Sequence, residues 1–336
     1  MKINQISGRL NMRIPFKRWS VYLIVVFSCL GFLLAVTQIL GQSPDYSSYD
    51  DFLNLVRSEG LDTLAVSRFE PGFSLFSFFL TTLFATNVVV YSWIVVAAML
   101  LKGWAIHAYS SSQKIFIVVA AFYLVRYLPL HELTQLRAAC AIGFLMVAAT
   151  LLWNGNRLYG LLACVTALLF HMSAAAIIPA LFLPPPKRWQ VIFIAIVTFV
   201  LTFMFSSFLT DYLANFIQII ESYETQGFGE LEPNPFAIQL LIDWAMIAVS
   251  LVMWNRLSLL MRRIIILELL GMAIFYGAIE FPSIAHRIRE FYSVFWVFFV
   301  ADGLRQKATR LVTYGFILVS IIFYSYVFVF SGTFFH

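Results

Sequence analysis

The chain has 336 residues, 61% apolar and 17% aromatic, with only 12% charged and a formal net charge of +5; its mean hydropathy is +0.87. Soluble domains carry about 25% charged residues, so this composition excludes a soluble globular protein and indicates a polytopic, all-α membrane protein. No hydrophilic stretch is long enough to hold a basic, aromatic-interleaved strip, which argues against nucleic acid as a partner and leaves membrane lipids as the surroundings.

The basic N-terminus (Lys2, Arg9, Arg13, Lys17, Arg18) precedes an apolar run from Ser20 to Leu40. At about 20 residues that run is longer than the apolar core of a cleaved signal, so it reads as an uncleaved first span with residues 1–19 in the cytoplasm. Further apolar segments follow at about 72–86, 88–108, 115–129, 133–153, 158–170, 172–183, 190–210, 236–254, 264–279, 287–303 and 311–331. This predicts a single membrane domain over 1–336 with about eleven transmembrane helices. Segments 72–86, 158–170 and 172–183 are too short to span and predict discontinuous or re-entrant helices, which are tolerated where they line a cavity. The last two cross twice or form a hairpin with His171 at its tip.

Charge orients the chain. If 72–86 dips in and returns, Lys102, Lys114, Arg157, Lys187-Arg188, Arg256, Arg262-Arg263 and Arg305-Lys307-Arg310 all fall inside. The stretches 41–71 and 211–235, both acidic, then become outside loops. Arg57, Arg68, Arg126, Arg137, Arg287 and Arg289 are left on the outside, where the positive-inside rule does not explain them. Outward guanidinium groups in so apolar a chain indicate a site for an anionic, lipid-linked substrate.

The candidate chemistry follows in chain order. Asp45-Tyr46-Ser47-Ser48-Tyr49 and Arg68-Phe69-Glu70-Pro71-Gly72-Phe73 lie in the first outside loop. Pro71 fits the first position of a helix, so Glu70 is either its N-terminal carboxylate or a site residue. The stretch His131-Glu132-Leu133-Thr134-Gln135-Leu136-Arg137 puts Arg137 at the head of an apolar helix; Arg126 fits an interfacial arginine paired with Glu132. His171 sits at a break between two half-helices, as a core residue or a functional one. In Glu280 to Tyr292, Arg287 and Glu290 share a helix face while Arg289 points about 200° away, so one arginine is expected to face the substrate. Cys29, Cys140 and Cys164 lie singly in apolar runs, no metal-ligand spacing occurs, and no phosphate-binding loop or dinucleotide fingerprint is found.

The order Asp-Tyr-x-x-Tyr (45–49), Glu-Pro-Gly-Phe (70–73), Gln-Leu-Arg-Ala-Ala-Cys-Ala (135–141), Phe-His-x-Ser-Ala (170–174) and Arg-Ile-x-x-Phe-Tyr (287–292) resembles the EpsG-like family, which is grouped with the Wzy-type O-antigen and exopolysaccharide polymerases. The resemblance implies a GT-C-like glycosyltransferase of the bacterial inner membrane, working on the periplasmic face without metal or nucleotide sugar. It implies undecaprenyl-pyrophosphate-linked glycan as substrate and a chain-length regulator (co-polymerase) as a further partner. By position it implicates Asp45, Tyr49, Glu70, Arg137, His171 and Arg287. This chain adds His131-Glu132 and the doubled Arg287/Arg289. Glu70, Asp45 and His171 are the candidate catalytic groups, Glu70 foremost because a buried helix entry raises a carboxylate's pKa. Arg137, Arg287, Arg289, Tyr49 and His131 are the candidates for diphosphate or glycan binding. An O-antigen ligase, a membrane O-acyltransferase and a lipid-linked glycan transporter are the competing classes.

Overall fold

The structure, a computed structural model, describes residues 18–39, 45–63, 69–212 and 234–330. The basic residues up to Lys17, Arg68 and most of the acidic stretch 211–235 lie outside the described residues. Helices account for nearly everything described: α1 (Arg18–Thr37), α2 (Tyr46–Glu59), α3 (Pro71–Leu83), α4 (Asn87–Tyr109), α5 (Gln113–Arg126), α6 (Leu128–His131), α7 (Leu136–Trp153) and α8 (Arg157–Phe170) come first. They are followed by α9 (Ala174–Leu181), α10 (Arg188–Tyr212), α11 (Ile238–Val252), α12 (Leu259–Gly277), α13 (Pro282–Ser293), α14 (Trp296–Arg305) and α15 (Lys307–Ser325). Among the described residues, five stretches are long and apolar enough to cross a membrane: Trp19–Thr37, Asn87–Tyr109, Leu136–Trp153, Arg188–Ser206 and Arg310–Phe330. Others fall short for visible reasons. α12 carries Arg262, Arg263 and Glu268, and the expected span 287–303 is two short helices, α13 and α14, parted at Val294-Phe295.

The helices form two compact units, residues 1–178 with 300–336, and residues 179–299. In the first, α4 packs between α1 and α7, and α7 packs on α8. α4 and α7 run parallel: the Tyr91 hydroxyl donates to the Leu133 carbonyl, and farther along Gly143 meets Leu101 and the Ala98 carbonyl. α5 returns from the far end of α4 but has only 14 residues, or about 21 Å against a hydrocarbon core of about 30 Å. The turn 127–135 therefore stops short of the α4 start and stays inside the unit. Leu128, Pro129, His131, Glu132 and Thr134 are all buried there.

That turn corrects two readings of the sequence. Lys102, grouped above with the inside charges, lies about 22 Å along α4, fully buried in an ion pair with Glu132. Helical side chains lean toward the N-terminus, which lets the lysine reach up to the turn. The Tyr123 hydroxyl completes this group, 2.7 and 2.9 Å from the two Glu132 oxygens. Arg126 does not pair with Glu132. Its guanidinium sits among the rings of Phe122, Tyr127, Phe316 and Tyr324 at 5.1–5.8 Å and donates to Ser320.

The stretch 41–71, read as an outside loop, contains α2. Its buried Tyr49, Phe52, Leu53 and Val56 follow helical spacing, and this stripe faces α3. Arg57 at its end donates to the Thr81 and Phe84 carbonyls and to Asn87, closing the C-terminus of α3.

In the second unit, α10 packs on α12, and α12 on α11 and α13. The α12–α13 approach is close: a side chain on Gly271 would meet Tyr292 Cβ at 2.6 Å.

Candidate functional site

The site begins with Glu70-Pro71-Gly72-Phe73. Pro71 opens α3, where its missing N–H costs nothing. Glu70, in extended backbone before it, makes no capping bond to its own helix. Gly72 packs so tightly on α8 that an added Cβ would stand 2.7 Å from the Leu169 carbonyl oxygen. Phe73 is fully buried and anchors the segment in an aromatic cluster with Tyr49, Phe52 and Phe69. The tight α3–α8 contact brings Glu70 beside the end of α8, where the helix breaks at His171.

Three chain segments meet there. One Glu70 carboxylate oxygen accepts from Arg137 Nη1 at 2.8 Å. The other accepts from the Met172 N–H at 3.1 Å and lies 3.3 Å from His171 Nδ1. Arg137 also stacks on the Phe69 ring, 4.4 Å from its centroid. Tyr49 lies parallel to Phe69 at 5.8 Å, with its hydroxyl beside the same guanidinium. The side chains of Arg137, Glu70 and His171 keep 15%, 11% and 11% of their surface exposed, so the cluster is sheltered but open.

Burial pushes the Glu70 carboxyl up, but the hydrogen bond from His171 and the Arg137 charge outweigh it and hold the group at about 2. Glu70 is thus ionised at any working pH. The expectation of a raised pKa is overturned, because the partners were hidden in distant sequence. Burial likewise pushes the Tyr49 phenol up, against the pull of Arg137, so it stays protonated.

His171 Nδ1 lies near both Glu70 Oε1 at 3.3 Å and the Ser173 N–H at 3.4 Å, and it cannot donate to one while accepting from the other. We assign its proton to the bond with Glu70, since a charged acceptor makes the stronger hydrogen bond. That tautomer leaves the basic lone pair on Nε2. Arg137 Nε is buried and makes no hydrogen bond among the described residues, so the protein leaves one guanidinium donor unsatisfied beside the cluster.

The other expected residues are placed as follows. Asp45, half-buried at the start of α2, is within electrostatic reach of Tyr49. His131 is not part of the cluster: it is fully buried, stacked on Tyr127 at 5.6 Å. In the second unit, Arg289 is buried in an ion pair with Asp243, whereas Arg287 is half-exposed and makes no ion pair or hydrogen bond among the described residues. Phe69 and the Met172 N–H were missed from sequence; the first shares a motif with Glu70 and was legible, the second was not. Among the described residues no three His, Cys, Asp or Glu side chains converge to hold a metal.

Comparison with known proteins agrees with the motif order. The EpsG family model matches residues 21–335, nearly the whole chain. The chain belongs to the EpsG family. EpsG proteins are a Wzy-like polymerase family, which makes this a membrane protein of exopolysaccharide polymerisation. No curated protein and no solved structure matches the chain. Of the positions that carried the EpsG resemblance, Tyr49, Glu70, Arg137 and His171 come from four separate motifs and meet at one point.

Proposed function

We propose that the protein is a GT-C-like glycosyltransferase that polymerises undecaprenyl-pyrophosphate-linked repeat units on the periplasmic face of the bacterial inner membrane. The observation that carries this reading is the Glu70–Arg137–His171 cluster, a partly exposed, ion-paired guanidinium beside an oriented imidazole. In this reading the growing glycan on its lipid diphosphate is the donor. A hydroxyl of the incoming repeat unit attacks the donor's anomeric carbon, the bond from that carbon to the diphosphate oxygen breaks, and the lipid diphosphate leaves. His171 Nε2 takes the hydroxyl proton, and Glu70 holds the ring and balances the imidazolium as it forms. The guanidinium of Arg137 meets the charge developing on the leaving diphosphate. Arg287 is a second candidate cation for the same substrate, and the chemistry needs no metal because guanidinium groups carry the positive charge.

The orientation rests on charge within the first unit. α1 runs antiparallel to α4, since Trp19 meets His107 and Phe32 meets Trp93. α15 runs parallel to α5, since Phe316 meets Phe122 and Ser320 meets Arg126. The basic starts of α1, α5, α8 and α15 therefore share one end, opposite the Arg137 end. By the positive-inside rule that end is cytoplasmic and the cluster opens to the periplasm.

Purified protein in nanodiscs, given a synthetic undecaprenyl-pyrophosphate-linked repeat unit, should produce a ladder of polymer. Arg137→Ala should abolish it while the protein stays folded in the membrane. A normal ladder from Arg137→Ala refutes the assignment.

A further inference from the structure

Directly along α7 from the candidate site lies an apolar groove of about 480 Å³, lined by Phe76, Ala97, Leu101, Trp104, Phe144 and Val147 among others, with no charged side chain among the described residues of its lining. Its wall on α7 is Cys140, Phe144 and Val147. Those positions follow Arg137 at steps of three, four and three, so they continue the same helix face for about 15 Å. Its remaining walls come from the same elements that place the other site residues: Phe76 lies on α3, which follows Glu70, and Phe170 precedes His171 at the end of α8. α4 closes the side with Ala97, Leu100, Leu101 and Trp104, again one helical face. The segments that carry Glu70, Arg137 and His171 thus each also contribute an apolar wall to the groove.

We propose that this groove holds the polyprenyl chain of the lipid-linked substrate, whose diphosphate sits at Arg137. The inference rests on the polymerase reading for its head group. A substrate with charge at one end and hydrocarbon at the other requires a cation contiguous with an apolar trough, and the Arg137 face of α7 supplies both. A second apolar groove of about 470 Å³, between α10, α11 and α12, is lined by Ile192, Phe199, Trp244, Leu269 and Tyr276 among others. It adjoins none of the cluster residues in its own walls and is the natural comparison.

The test fills the groove from α4, away from the polar cluster. Wild type should use undecaprenyl-linked substrate better than a geranyl-linked analogue, by on the order of tenfold in kcat/KM. Ala97→Trp should erase that preference by raising KM for the undecaprenyl-linked substrate. Val147→Trp should do the same from the opposite wall. In parallel, a photoreactive polyprenyl monophosphate, which has no glycan to transfer, should label peptides 97–104 and 140–147. Unlabelled undecaprenyl phosphate should compete and phosphatidylglycerol should not. Retention of the full chain-length preference in both variants, or labelling that phosphatidylglycerol removes equally well, overturns the proposal. A wild type that polymerises neither substrate sinks the polymerase reading alone, because the labelling reads the groove without turnover.

Discussion

A Cβ built on Gly72 would stand 2.8 Å from the Leu169 Cβ, so α3 and α8 touch backbone to backbone at this point. The site depends on that contact, since two residues before it stands Glu70 and two residues after Leu169 stands His171. Gly72→Ala should force the helices apart, at an overpacking cost of about 1–3 kcal/mol. Glu70 then loses its hold on the Met172 N–H and on His171. Polymer synthesis should fall much further than thermal stability, measured on the same detergent-solubilised preparation. Leu75→Ala, on the 54% exposed side of α3, should change neither. Equal loss of activity from both substitutions removes the contact from the argument.

The Glu70 carboxyl, held at about 2 by His171 and Arg137 despite burial, makes a signed prediction. Its folded value lies below the ordinary carboxyl value of 4.5, so its ionised form stabilises the fold above that value. The contribution fades as pH falls from 4.5 toward 2. The melting temperatures of wild type and Glu70→Gln should differ by a constant amount from neutral pH down to about 5 and converge in stronger acid. Activity of Glu70→Gln should be lower by about 10²-fold, since the imidazole loses both its orienting charge and its fixed tautomer. A difference in melting that grows on acidification contradicts the assigned ionisation.

Much of this was legible in the sequence for definite reasons. Short apolar segments at 72–86, 158–170 and 172–183 are visible by counting against bilayer thickness, and α3, α8 and α9 are indeed short helices with His171 at the break. The motif residues were legible as chemistry, but not as neighbours: Glu70 and Met172 are 102 positions apart in a hydrogen bond that leaves no local trace. For that reason the carboxylate was expected to rise in pKa and instead falls. α2 was missed because its acidic outer face hid a helical stripe at Tyr49, Phe52, Leu53 and Val56. Lys102 was misread because charge counting sees a lysine near a span end and cannot see Glu132 reaching down to it. The split of 287–303 into α13 and α14 carried no proline or glycine to announce it.

The Lys102–Glu132 pair, fully buried with Tyr123, should behave as a structural clasp. It fixes the turn 127–135, and that turn leads directly into Arg137. Lys102→Met leaves an uncompensated buried carboxylate and should destabilise by about 3–5 kcal/mol. Replacing both groups, as Lys102→Met with Glu132→Leu, should recover most of that loss, because desolvation is removed along with the attraction. The check is a double-mutant cycle by thermal unfolding. Additive losses mean that the two side chains do not interact as described.

The doubled arginine at 287 and 289 should separate by phenotype. Arg289 neutralises Asp243 inside the second unit, so Arg289→Ala removes the guanidinium that balances a buried carboxylate and should lower the amount of folded protein, with recovery in Arg289→Ala/Asp243→Ala. Arg287 is half-exposed and has no partner to strand among the described residues. Its substitution should therefore leave membrane level and melting temperature near those of wild type. If Arg287 serves the substrate, Arg287→Ala lowers kcat/KM for lipid-linked substrate by ten- to a hundredfold, about 1.4–2.7 kcal/mol, and Arg287→Lys restores part of it by keeping the charge without the planar fork. The decisive comparison is polymer ladder length against immunoblotted protein amount for the two single variants. Loss of protein in Arg287→Ala, with Arg289→Ala stable and inactive, exchanges the two roles.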